Sequence, residues 1–229
     1  MRLKLAFFLV VPVLTAFVSG QSPKKQIEDA HGGAGFLNNL TGYALSGTLQ
    51  RPDGTSLSFS LMVQGESSRF ETNEGVSIYN GDVQQWWKKG GAIRRSKPRY
   101  SMHGAQEIYL SPFYVAARLD KYELKGRDKA DRFSRKPQYK RFVNYEPDTP
   151  VTDLEFDSET HLLAAVSFYT QERSSERLTL RFEEYKKHGQ LWFPSKVKRQ
   201  AGDRLLVTME IHSLDFNPVF SSDTFKITR

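Results

Sequence analysis

The chain has 229 residues, 38% of them hydrophobic and 13% aromatic, which excludes a disordered or collagen-like polymer. It contains no cysteine, so disulfides, thiolate metal sites, cysteine nucleophiles and cysteine-linked lipid anchors are all excluded. Its net charge of +7 is unevenly spread: Lys88 to Arg99 and Arg118 to Arg141 are strongly basic, whereas Glu146 to Glu184 is acidic.

Residues 1–20 read as a signal peptide. Arg2 and Lys4 precede an apolar run from Leu5 to Val18, and Val18-Ser19-Gly20 supplies a cleavage point before Gln21. The run is shorter than the roughly 20 residues that a spanning helix needs, and Pro12 interrupts it. The expectation is an exported, soluble chain of one domain over 21–229, without a lipid anchor.

Pro23 to Asn39 is the first predicted helix, started by Ser22-Pro23 and interrupted or closely packed at Gly32, Gly33 and Gly35. From Tyr43 the hydrophobic period changes to two. Tyr43, Leu45, Gly47 and Leu49 form one face of a strand, Pro52-Asp53-Gly54 makes a turn, and Leu57, Phe59, Leu61 and Val63 form the next face. Short strands follow at Arg69–Thr72, Val76–Tyr79 and Val83–Trp87. A single helix is predicted from Ser111, a good N-cap with Pro112 at the first helical position, through Leu119. The charged stretch to Gln138 carries no clear pattern. Strands resume at Tyr139–Tyr145, Val151–Phe156, Leu162–Thr170, Leu178–Tyr185, Leu191–Lys198 and Leu205–Leu214.

Most of these strands are separated by hairpin-length turns, so neighbours pair antiparallel. So many strands twist and curl, and the few helical pieces cannot sandwich them. The predicted architecture is therefore mainly β (α+β): an open, curled antiparallel sheet whose helices sit within its concave apolar face.

No catalytic constellation is found. The histidines His31, His103, His161, His188 and His212 lack metal-ligand spacing and read as surface or turn residues. His31-Gly32-Gly33 is similar to an esterase oxyanion motif, but the GxSxG elbow it would need is absent, so a helix break is the better reading. Glu183 and Glu184 are adjacent on a strand and are expected to point to opposite faces. Trp86 and Trp87 likewise present one ring to each side. Nucleic acid is disfavoured because no binding motif accompanies the basic segments. Those segments read either as solvated loops or as a docking field for a partner or a membrane headgroup, with Lys88, Lys89, Arg94 and Arg95 as the candidates.

Several motifs together resemble the periplasmic lipoprotein-carrier superfamily of LolA/LolB-like and outer-membrane lipoprotein-sorting proteins. They are the helix ending at His31-Gly32-Gly33, the run Ile78-Tyr79-Asn80-Gly81-Asp82 before Trp86-Trp87, and the turn Phe156-Asp157-Ser158-Glu159-Thr160-His161-Leu162. Phe182-Glu183-Glu184-Tyr185 with Phe193-Pro194, and the tail Phe216-Asn217-Pro218-Val219-Phe220, complete the set. The resemblance implies an unclosed half-barrel covered by helices and a non-enzymatic carrier of lipoprotein acyl chains or another hydrophobic ligand. It implies no cofactor and no metal. The expected partners are a lipoprotein or lipid ligand and an inner- or outer-membrane protein, with the carrier itself a monomer. A protein-interaction or envelope-sensing module on the same half-barrel is the alternative.

In the strands with clearest alternation, ten side chains should converge on the concave side: Leu57, Phe59, Leu61, Val63, Leu178, Leu180, Phe182, Val207, Met209 and Ile211. A carrier would leave room for an acyl chain beneath the Ser111 to Leu119 helix, with Phe113, Tyr114 and Leu119 as its lid.

Overall fold

The computed structural model describes residues 21–81, 83–96, 110–125, 139–143, 152–169 and 177–227. The signal-peptide segment, His103 and much of the basic stretch 118–141 lie outside them.

The chain opens with helix α1, Pro23–Ala30, and the Ser22 side chain accepts a hydrogen bond from Lys25 N at 3.3 Å. The predicted break follows at His31-Gly32. Gly32 has φ 96°, and a Cβ there would stand 2.6 Å from Leu191 Cδ2, so both the turn and the close packing require glycine. Helix α2 is Gly33–Asn38 and helix α3 is Pro112–Ala116, capped by Ser111 Oγ, which accepts from Tyr114 N at 3.4 Å. The third helix is shorter than expected. It ends at Ala116, and Leu119–Lys121 forms a separate 3₁₀ turn.

Among the described residues there are thirteen strands, all paired antiparallel: β1 Gly42–Gln50, β2 Ser56–Gln64, β3 Ser67–Thr72, β4 Gly75–Tyr79, β5 Gln84–Lys88, β6 Arg94–Ser96, β7 Glu123–Lys125, β8 Tyr139–Val143, β9 Thr152–Asp157, β10 Leu163–Tyr169, β11 Arg177–His188, β12 Leu191–Ala201 and β13 Arg204–Phe216. Only β6 and β7 were not anticipated, because a strand of three residues, Arg-Arg-Ser or Glu-Leu-Lys, is too short to show alternation. The strands form one sheet in the order β6-β5-β4-β3-β2-β1-β13-β12-β11-β10-β9-β8-β7, with β6 and β7 as its two edges. The sheet is therefore unclosed. Its seam is the pairing of β1 with β13, where Tyr43 faces Phe216 and Leu49 faces Met209.

The sheet has to curl. On a flat sheet β2 and β9 would lie six strand spacings apart, about 29 Å. Yet one small helical plug reaches both sides. Tyr114 donates its hydroxyl to Gly65 O at the β2–β3 turn, while its neighbour Phe113 meets His31, which meets Phe156 on β9 edge-on at 6.0 Å. Phe113 also stacks with Phe193 of β12 at 5.8 Å and meets Phe216 of β13 at 5.1 Å. The helices thus sit in the concave face and form one apolar core with it.

Two expectations are corrected here. His31 is not a surface histidine but fully buried between Phe113 and Phe156. Glu183 and Glu184 do not divide between the faces either. Glu184 adopts φ 54°, off the extended conformation of a regular strand, and the two carboxylates meet Lys198 at 2.8 Å and Lys196 at 2.7 Å, lysines two residues apart on one face.

Candidate functional site

The register assigns a face to each predicted site residue. Leu57, Phe59, Leu61 and Val63 stand opposite Leu49, Gly47, Leu45 and Tyr43. Met209 and Ile211 stand opposite Leu49 and Gly47 from the other side. Phe182 faces Val197, which faces Met209; Leu180 faces Arg199, which faces Val207; and Leu178 faces Ala201. All ten side chains are buried and share the concave face.

They do not share one open space. Leu61, Val63, Phe182 and Ile211 lie in the core with the helices, as do Phe113, Tyr114 and Leu119. The space beneath α3 is filled by the Phe113 ring, so the three expected lid residues are packed core, 0–4% exposed. The open volume lies at the other end of the same face, which no described helix covers, toward the β1–β2 and β12–β13 turns. It is a cleft of about 360 Å³ lined by Leu49, Arg51, Leu57, Phe70, Thr72, Arg199, Leu206 and Val207. Of the ten predicted residues, Leu57 and Val207 line it.

The other lining residues were missed for separate reasons. Leu49 belongs to the inward row of β1 and was legible from alternation, as was Phe70, which faces Leu61. Arg199 lies one residue past the predicted end of its strand. Leu206 owes its place to a bulge: the β12–β13 register slips between Arg199 and Gln200, whose partners are Val207 and Leu205. Leu206 is the extra residue, and a bulge can turn a side chain that strict alternation would send outward.

Two guanidinium groups face the cleft. Arg51 is held at its rim by Glu74, Nη2 to Oε2 at 2.7 Å, and this hydrogen bond keeps the Glu74 carboxyl below the usual carboxylate range. Arg199 lines the cleft as well, with its Nε shut off from solvent. A second cleft, about 240 Å³, runs between the helices and is lined by Lys24, Glu28, Asn38 and Asp120 beside small apolar residues. Its polar walls suit an apolar ligand less well.

The basic candidates lie far from this chemistry in the strand order. Lys88, Lys89, Arg94 and Arg95 are all exposed on the β5–β6 hairpin at the sheet edge, with Ile93 half-exposed at 50% between them. Trp86 faces Ser77 and Trp87 faces Val76, so their rings take opposite sides, each half-buried. Among the described residues no group of three or more His, Asp or Glu could hold a metal ion.

An open antiparallel sheet with its helices inside its own curl can be compared with solved structures. A LolA superfamily protein from Nitrosomonas europaea superposes over 90% of this chain and 97% of its own, with a TM-score of 0.58 at 10% identity. This chain has the LolA-superfamily fold. A domain from Vibrio parahaemolyticus, described as outer-membrane lipoprotein-sorting, superposes over 89% of this chain and 94% of its own, with a TM-score of 0.54 at 12% identity. No protein-family model and no curated protein matches the sequence. Among the described residues, helices fill one end of the concave face and none covers the other.

Proposed function

We propose that the protein is a non-enzymatic periplasmic carrier that binds an acyl chain, of a lipoprotein or another lipid, in the uncovered end of its half-barrel. The observation that carries this reading is the apolar cleft of about 360 Å³ on the concave face, within the size range of small-molecule sites, roughly 300–1,000 Å³. Each ligand methylene removed from water there contributes about 0.8 kcal/mol. The lipoprotein-sorting description of a structural neighbour supports the ligand class, and the signal-peptide pattern of residues 1–20 supports export. The exposed basic hairpin with Ile93 serves as the docking surface toward a membrane or its partner protein.

The test is displacement of a neutral apolar fluorophore, N-phenyl-1-naphthylamine, by acyl-chain ligands on purified chain 21–229. The wild-type protein should bind the fluorophore and release it to ligand. Leu206→Trp, at a partly exposed bulge position, fills the cleft with little disturbance of the core and should weaken binding at least tenfold. Absence of binding by the wild type, or unchanged binding by a folded Leu206→Trp protein, would sink the assignment.

A further inference from the structure

We propose that the β5–β6 hairpin docks the protein end-on onto an anionic lipid bilayer, with the open end of the cleft turned toward the membrane. The inference rests on the carrier reading above for the purpose of the contact, and it names the partner as the lipid surface itself.

Although set apart in the strand order, the hairpin turns at the same end of the sheet as the cleft. Successive antiparallel strands reverse direction, so the β1–β2, β3–β4 and β5–β6 turns lie at one end. The β12–β13 turn joins them, because Gln50 at the end of β1 faces Thr208 near the start of β13. The hairpin and the cleft also share a face. Phe70, which lines the cleft, faces Ser77; Ser77 faces Trp86, and Trp86 faces Arg94. A surface that receives the hairpin tip therefore comes up to the mouth of the cleft.

The chemistry of the hairpin suits a bilayer surface. Its tip, Gly90-Gly91-Ala92-Ile93, is uncharged and exposed, and it stands between two exposed cation pairs, Lys88-Lys89 and Arg94-Arg95. No acid occurs from Val83 to Ser96. The neighbouring turns at this end set Arg51 and Arg204 against Asp53, Glu74 and Asp203, so the excess of positive charge comes from the hairpin. Alternation puts Lys88 and Arg94 on the concave side with Trp86, and Arg95 on the convex side opposite Gln85. A protein partner would press on one of these faces. Cations on both faces of an uncharged tip fit instead a plane of phosphates that the tip enters end-on, with the Ile93 side chain reaching past the headgroups. Trp86 and Trp87 stand behind the tip, half-buried on opposite faces, and an indole has the apolar body and N–H donor that suit this layer.

The experiment is sedimentation of ligand-free chain 21–229 with vesicles of phosphatidylcholine alone or with about 30% phosphatidylglycerol, at about 0.1 M and about 0.5 M salt. The protein should partition onto the anionic vesicles about tenfold more strongly than onto the neutral ones, and the higher salt should remove most of this excess. Lys88→Glu combined with Arg94→Glu should abolish the preference, and Ile93→Ser should weaken binding severalfold. Lipids brominated on their acyl chains report the orientation. They should quench Trp86 and Trp87 and spare Trp192, which is 41% exposed beside the β11–β12 turn at the other end of the sheet, so Trp192→Phe should keep the quenching. Equal partition onto both vesicles, or none, would overturn the docking and leave the carrier reading standing, since that reading is tested by the fluorophore without a membrane. The wild-type comparison needs no variant, so it decides the point even if the charge reversals fail to fold. A folded double variant that keeps the preference, or quenching lost in Trp192→Phe, would also overturn it; the latter places the contact at the β11–β12 turn, where Lys186, Lys187 and His188 are exposed.

Discussion

His31 illustrates how a single residue can look ordinary in sequence and be consequential in the fold. Its Nδ1 lies 2.8 Å from Ile27 O, and since a carbonyl only accepts, Nδ1 carries the proton. Nε2 is buried and has no hydrogen-bond partner among the described residues. Burial among Phe113 and Phe156 pushes the imidazole pKa down from 6.5 to about 4, opposed only in part by the Ile27 carbonyl. The folded pKa is thus depressed below the unfolded one. Above pH 6.5 the ring is neutral in both states and nothing is lost; as the pH falls toward 4 the unfolded chain takes up a proton that the folded chain refuses. That costs about 2 kcal/mol by pH 5 and about 3 kcal/mol by pH 4. Urea unfolding at pH 7.5 and pH 5 should therefore show a drop that His31→Leu, similar in volume and unable to bind a proton, reduces by about 2 kcal/mol. An identical pH dependence in both proteins would show that His31 is not the titrating group. Nothing in the sequence around His31-Gly32-Gly33 signals this, because the burial comes from β9 and α3, far away along the chain.

At the scale of elements, the strands with clean alternation were legible, and the departures occur where alternation breaks. Leu57 to Val63 reads as a strand because two serines and a methionine separate its inward residues, and it folds as one. The positive φ of Glu184, the bulge at Leu206 and the one between Ser46 and Gly47 each redirect a side chain, and no periodicity announces them. The third of these determines the seam. Ser46 faces Ser213, and Gly47 faces Ile211, so His212 is the extra residue. At this point β13 passes so close to β1 that a Cβ on Gly47 would lie 1.9 Å from Glu210 O and 3.0 Å from Phe59 Cε1. The first contact is with backbone and cannot be relieved by a side-chain rotation. Gly47→Ala should therefore destabilise the protein by about 3 kcal/mol, the upper part of the range for overpacking. Ser58→Ala, on the outward side of β2 opposite Thr48, should cost less than about 0.5 kcal/mol by the same denaturation measurement and serves as its control. A Gly47→Ala protein as stable as the wild type would mean that the seam can widen at no cost.

The whole molecule depends on that seam, because β1 is the first described strand and β13 the last. Strands β1–β6 come from one part of the chain and β7–β13 from the other, and the two runs join in the sheet only where β1 meets β13. Pattern reading could recover the strands but not this closure, since adjacency of chain-distant strands leaves no mark in local periodicity. The closure is reinforced at its end by Asn217. With φ 53°, its Oδ1 accepts from Thr41 N at 2.7 Å and from Gly42 N at 3.3 Å, and its Nδ2 donates to Asn39 O at 3.0 Å. The helical plug works across the seam as well. Helices α1 and α2 precede β1, while Phe36 of α2 meets Phe216 of β13 at 5.2 Å and Phe113 of α3 at 5.4 Å. Neither run of strands can therefore bury its own concave face without the other's residues. Such mutual dependence predicts a single cooperative transition in calorimetry of chain 21–229, with van't Hoff and calorimetric enthalpies in agreement. Because almost all of this pairing across the seam is between residues far apart in sequence, refolding should also be slow, in the millisecond-to-second range of β-rich folds rather than microseconds. Two resolved transitions, the first abolished selectively by Gly47→Ala, would mean that the two runs of strands are independent units and that the seam is only a contact between them.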